Sequence, residues 1–147
     1  MDGSYILNVG PMANGKIPER AAEIIGKVGS WYGRVKEAFD GEPMPGYLEN
    51  KELLAVKNGS TLYVHIPKGL EHCGLTLKPI DVMPKSVTLL NSGEPLKYGI
   101  VTRPEDKDWK IHLLHRQSLH IFDIPVEKYI NETLVIKIEL DEGKIEL

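Results

Sequence analysis

A glycine-containing stretch near the start of the chain has the spacing of a phosphate-binding loop. Gly10 to Lys16 reads Gly-Pro-Met-Ala-Asn-Gly-Lys, and it lies between an apolar run and a helical pattern, which is the context that such a loop needs. The next position does not fit, because Ile17 has no hydroxyl for Mg²⁺ and two nearby prolines lack the amide hydrogens that bind phosphate. The stretch therefore favours a turn-rich connection over a nucleotide site, and we predict no cofactor.

The histidines and the single cysteine do not predict a metal site or a nucleophile. His112 and His115 are separated by two residues, which puts them on opposite faces if the strand continues, whereas zinc needs three or four ligands held together. Cys73 has no basic neighbour on a catalytic framework, so an inert thiol is expected. Asn58 and Asn131 begin glycosylation sequons, of which the first is better explained as a hairpin turn. We predict no bound metal.

Acidic side chains occur throughout the chain without forming a recognisable catalytic pair. Glycoside hydrolysis, for example, needs two carboxylates that flank one bond, about 5 to 5.5 Å apart in a retaining enzyme. The acidic residues here fall on the polar side of a helix, in turns or at outward strand positions, and they include Glu19, Glu23, Glu37, Glu105, Asp106, Glu139 and Asp141. Contact with solvent is their expected role.

Length and charge are those of a small domain without a strongly charged partner. The chain has 147 residues, a net charge of −3 and a pI near 6.0. These values predict neither nucleic acid nor an anionic membrane as a partner. No apolar stretch approaches ~18 residues and no leader pattern is present, so we expect no membrane span and no secretion signal in this sequence.

The chain opens with the pattern of a strand, a loop and a helix. Tyr5 to Val9 is apolar without alternation, which predicts a strand buried on both faces, as in a parallel sheet flanked by helices. Turn pairs of Gly-Pro and Asn-Gly follow, and a helix is expected from about Pro18 to Val35 or Lys36. No second unit of this kind follows, so residues 1–39 resemble the last repeat of a larger α/β domain.

The predicted helix carries two stripes that need different neighbours. Apolar side chains recur at spacings of three and four and form a packing face of Ala21, Ile24, Ile25, Val28, Trp31, Tyr32 and Val35. Small residues form a second stripe of Ala22, Gly26, Gly29 and Gly33. Each interior glycine costs about 0.5 to 1 kcal/mol relative to alanine, so the stripe indicates a closely approaching backbone. In the chain by itself, a homo-oligomer through this helix is the favoured way to cover the apolar face.

After residue 39 the sequence changes to the period of β-strands. Its glycines and prolines make 40–46 a predicted linker, and 47–147 a predicted C-terminal domain. The strand candidates are Leu53 to Lys57, Thr61 to Ile66, Leu75 to Leu77, Ser86 to Leu90, Leu96 to Val101, Trp109 to Leu113, Leu119 to Phe122 and Leu134 to Leu140. The predicted fold is mainly β, an antiparallel β-sandwich of about eight strands preceded by one strand-loop-helix unit.

Several segments resemble the α-L-fucosidases of glycoside hydrolase family 29. Gly3 to Pro11, Asn14 to Pro18 and Val28 to Trp31 resemble the end of the catalytic (β/α) barrel of that family. Lys85 to Leu90 and Gly93 to Lys97 resemble part of its C-terminal β-sandwich. The resemblance implies that residues 1–39 are the last strand and helix left over from the barrel, and that the chain corresponds to the C-terminal third of such an enzyme.

The resemblance also implies what the parent enzyme does and what this chain lacks. A fucosidase of this family hydrolyses terminal α-L-fucose with retention, using an Asp nucleophile and a separate acid/base carboxylate, both upstream of the strand that opens this chain. The chain alone is therefore expected to be inactive, and the missing barrel is its expected partner. Loops after barrel strands face the active site, so Asn8, Met12 and Asn14 are expected to border the sugar pocket in the full enzyme.

Two departures from the family pattern and two alternative functions accompany this interpretation. Asn14 stands where the family usually has Asp, and Val35-Lys36 replaces the Asn-Gly that usually ends the helix.

A free-standing carbohydrate-binding or interaction module is the main alternative, which an exposed aromatic cluster on one sandwich face would favour. An active enzyme is a weaker one, because a single strand-helix unit cannot build a barrel pocket. Fucosylated glycan would be bound only through the full enzyme, and the resemblance suggests a periplasmic, secreted or lysosomal parent.

Overall fold

One α-helix, two short 3-10 helices and two antiparallel sheets make up the described part of the protein. The structure, a computed structural model, describes residues 6–104 and 115–142. In these ranges the helical elements are α1 (Glu19–Val35) and two short 3-10 helices, Lys36–Phe39 and Val126–Tyr129. The strands are β1 (Glu42–Pro43), β2 (Leu54–Asn58), β3 (Thr61–Ile66), β4 (Leu75–Leu77), β5 (Ser86–Leu89), β6 (Glu94–Pro95), β7 (Lys97–Pro104), β8 (His115–Phe122) and β9 (Leu134–Glu139).

The strands form a six-stranded sheet in the order β1-β2-β3-β9-β5-β6 and a three-stranded sheet in the order β4-β8-β7. Every neighbouring pair is antiparallel. In the large sheet, β3 and β9 are central and pair along their whole length, from Thr61 with Glu139 to Ile66 with Leu134. The prediction of a mainly β, antiparallel sandwich is confirmed.

The main core lies between the two sheets. Leu62, Val64 and Ile66 of β3 alternate with outward residues, as the pleat of a strand requires, and each is at most 1% exposed. Leu119 and Ile121 of β8 are fully buried in the same core from the opposite sheet. Each large side chain of this kind contributes about 1.5 to 3 kcal/mol through burial, so the two sheets are held together mainly by these inward rows.

A second, smaller cluster lies on the outer face of the six-stranded sheet. Its buried members are Val35, Ala38, Tyr63, Leu90 and Val135, with Trp31 and Val56 packed against them. The end of α1 and the 3-10 turn that follows it therefore cover the outer side of β3 and β9. As a result these two strands are buried on both faces, and all residues of β3 after Thr61 are buried.

The strand candidates agree with the structure except at the sheet edges. β3 and β4 have the predicted bounds, and β2, β5, β7, β8 and β9 overlap their predictions. The Trp109 to Leu113 candidate lies outside the described residues. β1 and β6 were not predicted, because each is two residues long and contains a proline. Both are edge strands, where a missing amide hydrogen removes no interior ladder bond. β1 lies inside the 40–46 segment predicted as a linker.

The prediction of a first strand from Tyr5 to Val9 is wrong for the residues that can be compared. Ile6 to Val9 form no strand, and Tyr5 lies outside the described range. Ile6 is 85% exposed and Leu7 is 51% exposed. A strand is stabilised by hydrogen bonds to a neighbouring strand, and no described strand of either sheet pairs with this segment. The described part of the chain therefore leaves Ile6 and Leu7 exposed.

The closed core predicts a sharp contrast between two isoleucines near β9. Ile136→Ala, at a fully buried position, should lower the free energy of unfolding by about 2 to 5 kcal/mol, because it removes packed atoms and leaves a cavity. Ile130→Ala, at a position that is 80% exposed, should change it by less than about 0.5 kcal/mol. Urea unfolding followed by circular dichroism measures both values. Similar losses in the two variants would contradict the described core.

Candidate functional site

The three residues expected to border a sugar pocket all lie in an exposed segment before α1. Met12 and Asn14 share one tight turn, in which the Met12 amide donates to the Lys16 carbonyl at 2.8 Å and the Gly15 amide donates to the Met12 carbonyl at 2.8 Å. The Asn14 side-chain oxygen accepts from the Lys16 amide at 3.0 Å. Asn8 precedes this turn and is exposed as well. The structure thus brings two of the three residues together, in a turn that faces solvent.

The same turn explains why the glycine-containing stretch does not form a phosphate cradle. A phosphate-binding loop points several free amides at one anion. Here the amides of Met12, Gly15 and Lys16 are already bonded within the turn. Gly15 has a φ of 77°, a left-handed conformation that glycine adopts without strain and that the turn requires.

Other chemical candidates are dispersed across the described parts of the chain. No three His, Cys, Asp or Glu side chains in residues 6–104 and 115–142 lie close enough together to hold a metal ion. Cys73 is exposed. His112 and the side chain of His115 lie outside the described set. No helix among the residues described is long and apolar enough to cross a membrane.

The predicted packing face of α1 is divided into a buried end and an exposed remainder. Val35 is fully buried, and Ile25 and Trp31 are half-buried. Ile24, Val28 and Tyr32 are 52%, 44% and 47% exposed. Among the described residues, the contacts of α1 with its own sandwich are thus concentrated at its C-terminal end, from Trp31 to Val35. The small-residue stripe is open as well, because a Cβ added at Gly26, Gly29 or Gly33 would meet none of the described residues within 4 Å.

We term one contact the helix-sheet junction. Its helical side consists of Trp31, Arg34, Val35 and residues 36–39. Its other side is the outer face of β3 and β9 with their adjoining loops. The Trp31 indole nitrogen donates to the Thr133 carbonyl at 2.9 Å. One Arg34 nitrogen, Nη2, binds both carboxylate oxygens of Glu132, at 2.6 and 2.7 Å. These contacts connect the last turn of α1 to the loop before β9.

Asn91 organises this side of the helix-sheet junction, although the side-chain hydrogen bonds described next go to the loop before β9 and to β9 itself. Its side chain, 3% exposed overall, donates to Glu132 Oε2 and to the Thr133 carbonyl, both at 3.1 Å. Its side-chain oxygen accepts from the Val135 amide at 2.9 Å. The buried side-chain amide of Asn91 thus positions Thr133, which binds Trp31, and Glu132, which binds Arg34. The sequence patterns did not reveal this role of Asn91.

On the other side of the helix-sheet junction, Phe39 lies among three rings. Its centroid is 6.1 Å from Trp31, 5.5 Å from Tyr32 and 5.0 Å from His65. His65 is 6% exposed, and its Nε2 donates to the Ala38 carbonyl at 3.2 Å, since a carbonyl oxygen can only accept. Burial lowers the pKa of His65, and the bond to Ala38 partly opposes that shift.

Glu37 is the acidic centre of the helix-sheet junction. Its Oε2 accepts from the Tyr63 hydroxyl and from Lys137 Nζ, both at 3.2 Å. Burial, followed by the charge of Glu37, raises the pKa of Tyr63 to about 12. Tyr63 therefore stays a neutral hydrogen-bond donor at physiological pH, and the group has the character of a structural contact rather than of an acid-base pair.

Aromatic side chains on the sandwich are mostly half-buried. Phe122 is 38% exposed and makes an edge contact with His120 at 4.5 Å. Tyr47, Tyr98 and Tyr129 pack partly against the main core. Trp109 lies outside the described residues. Within the described part of the sandwich, no cluster of exposed aromatics forms the kind of surface that would favour a sugar-binding module.

Comparison with known proteins identifies a shared fold. No family model and no curated protein matches the chain. An α-fucosidase from Thermotoga maritima in complex with fucose matches with a TM-score of 0.59 and 18% identity, over 90% of this chain and 30% of that chain. The α-L-fucosidase isoenzyme 1 of Paenibacillus thiaminolyticus matches with a TM-score of 0.59 and 22% identity, over 93% of this chain and 30% of that chain. The chain has the fold of part of an α-L-fucosidase.

These matches agree with the resemblance found in the sequence. The Thermotoga maritima enzyme with a mechanism-based inhibitor gives a TM-score of 0.62 at 17% identity, over 91% of this chain and 30% of that one. The chain therefore spans less than a third of the length of the solved fucosidases that it matches. This coverage is consistent with the C-terminal portion of such an enzyme.

The bonds of Asn91 generate a prediction about the helix-sheet junction. Asn91→Ala should lower the free energy of unfolding by about 1 to 3 kcal/mol, because it leaves the buried Val135 amide without its acceptor. Amide exchange at Val135 should accelerate in parallel. Asn131→Ala, at an exposed position in the neighbouring turn, is the matched control and should change stability by less than about 0.5 kcal/mol. Unaltered stability in the Asn91 variant would show that this amide does not hold the junction.

Proposed function

We propose that this chain is the non-catalytic C-terminal segment of an α-L-fucosidase-like glycoside hydrolase, and that it packs against and stabilises an upstream catalytic barrel. The distribution of exposed apolar side chains carries the proposal. Eight of the twelve large hydrophobic residues exposed in the described ranges fall within residues 6–39: Ile6, Leu7, Met12, Ile17, Ile24, Val28, Tyr32 and Phe39. The sandwich, much the longer part, has the other four.

Concentration of apolar surface on one short segment indicates a missing neighbour. Burial of a large apolar side chain contributes about 1.5 to 3 kcal/mol, so eight such side chains are a strong driving force for association. The open glycine stripe on α1 supports the same conclusion, since nothing in the described part of the chain approaches it. A helix that lies between a barrel strand and an adjacent barrel helix would use both surfaces.

The same arrangement gives the sandwich a role. α1 would pack into the barrel with Ile24 and Val28, while its last turn is held on the sandwich by Trp31 and Arg34. One rigid helix would thereby connect the two domains. In this arrangement the turn that contains Met12 and Asn14 would lie at the barrel end where strand-to-helix loops gather, and Asn8 would lead into it.

Hydrolysis itself would depend on groups outside this chain. Several acidic residues described here are bound to cations at the surface, as Glu23 is to Lys27 and Glu52 is to Lys68. Retaining hydrolysis of terminal α-L-fucose needs two carboxylates that face one glycosidic bond. By resemblance, both belong to the upstream barrel, so the reaction and the fucosylated substrate are assigned to the whole enzyme.

The first test concerns activity. The purified 147-residue chain should not hydrolyse 4-nitrophenyl α-L-fucoside, whereas a longer chain that adds the upstream coding sequence should do so. Loss of both catalytic carboxylates removes general acid-base and nucleophilic catalysis together, which reduces the rate by many orders of magnitude. Turnover by the short chain, after host fucosidase has been removed, would contradict the proposal. An upstream sequence without a barrel would contradict it as well.

The second test uses the exposed face of α1. In the longer chain, Ile24→Glu with Val28→Glu should lower stability by about 3 kcal/mol or more, because two carboxylates would be buried against the barrel. In the 147-residue chain the same change should cost less than about 0.5 kcal/mol per site, since both side chains are exposed there. Thermal and urea unfolding of both chains gives the comparison.

Glu23→Ala with Lys27→Ala, on the polar side of the same helix, is the control and should have little effect in either chain, because this ion pair is exposed. Equal effects of the Ile24 and Val28 changes in the two chains would remove the support for a barrel contact. In the 147-residue chain, a second copy bound through α1 could bury this apolar face instead of a barrel. Sedimentation of that chain tests this alternative. A longer chain that dimerises through this face would contradict the proposal.

A further inference from the structure

We propose that the helix-sheet junction is a pH-sensitive contact, closed while His65 is neutral and opened when His65 takes up a proton. The inference concerns this chain alone, so it does not depend on whether a barrel lies upstream. It rests on the position of the imidazole between β3 and the 3-10 turn at residues 36–39, which is the turn that continues α1 onto the sheet.

Geometry places the imidazole where a charge would be enclosed. His65 is 6% exposed on the outer face of β3, opposite Leu54 of β2 on one side and Val135 of β9 on the other. Phe39 makes an edge contact with it, at a centroid distance of 5.0 Å and an interplanar angle of 64°. Because Nε2 donates to the Ala38 carbonyl, the neutral ring accepts a further proton at Nδ1. Protonation would therefore create a cation beneath an aromatic ring and a turn.

Several of the charged groups around the ring bind other partners. The titratable and charged groups on the packed elements are Arg34, Lys36, Glu37, Asp40, Lys57, Tyr63, Lys137 and Glu139. Glu37 binds Tyr63 and Lys137, and Lys137 also lies 3.7 Å from Glu139. Arg34 binds Glu132. The influences resolved on the His65 ring are burial and the bond to Ala38, so desolvation of the cation is the dominant cost of protonation in place.

The direction of the pH effect follows from the lowered pKa. Because the closed state binds this proton less well than an exposed imidazole does, closure is favoured above the ordinary histidine pKa of 6.5. As the pH falls below that value, the open state takes up the proton first and gains population. Each unit by which the pKa is lowered corresponds to about a tenfold change in the ratio of open to closed molecules.

Trp31 reports on this opening through the Phe39 ring that it shares with His65. Trp31 makes an edge contact with Phe39 at 6.1 Å and donates to Thr133, so release of residues 36–39 changes its surroundings. A Trp109→Phe background leaves Trp31 as the sole tryptophan of the chain. Among the described residues, the main core contains no side chain of residues 36–39, so far-ultraviolet circular dichroism should keep its β-sheet signal while the junction opens.

The experiment is a titration of Trp31 emission from about pH 8 to about pH 5. A red shift should begin below about pH 6.5 and coincide with the titration of the His65 imidazole followed by nuclear magnetic resonance. His65→Gln can still donate to Ala38 but cannot become a cation, so its emission should not shift in this range. His72→Gln, at an exposed position, should retain the full transition.

Two results would overturn the inference. One is an unchanged Trp31 emission while the His65 resonance titrates in the otherwise native protein, which requires no substitution at position 65. The other is an identical transition in the folded His65→Gln variant, which would assign the pH dependence to another group. A transition accompanied by loss of the β-sheet signal would also count against local opening, because it would report unfolding of the sandwich.

Discussion

Burial of the outer face of β3 and β9 is the constraint on which the rest of the structure depends. A sandwich normally exposes one face of each sheet, but here Tyr63 and Val135 are covered by Val35 and Ala38. The two central strands consequently need apolar residues on both sides, and the chain has to return a helix to the sheet. Buried backbone groups on this face also need hydrogen-bond partners. Asn91 supplies them, because its side chain bonds the Val135 amide and the loop that binds Trp31 and Arg34.

Much of the sandwich was predictable, because its strands have local signals. Thr61 to Ile66 follows an Asn-Gly turn, and Gly59 has the positive φ of 59° that a tight hairpin needs. The bounds of α1 were also predictable from Pro18 and the apolar spacing. The strand predicted from Tyr5 to Val9 does not form over Ile6 to Val9, since an apolar run specifies a strand only where another strand pairs with it. Likewise, β1 and β6 are set by pairing rather than by their own two residues.

The candidate site was less predictable than the fold for a physical reason. Periodicity identified the face of α1, but it could not show that the sheet covers Val35 while Ile24 and Val28 remain open. Asn91 and His65 act through hydrogen bonds to residues 27 to 44 positions away, which no local pattern specifies. The sequence therefore predicts which side chains should be buried, and only the folded structure shows which residues bury them.

The departure from the usual family pattern at Val35-Lys36 has a structural explanation in this junction. Where an Asn-Gly would favour a left-handed exit, Lys36 has φ −55° and ψ −34°, so the backbone continues in a right-handed turn through Phe39. That continuation buries Val35 and Ala38 and presents the Ala38 carbonyl to His65. A left-handed residue at this point would direct the chain away from β3. The helix end here is thus a contact with the sheet rather than a simple stop, and its Ala38 carbonyl bonds the buried His65.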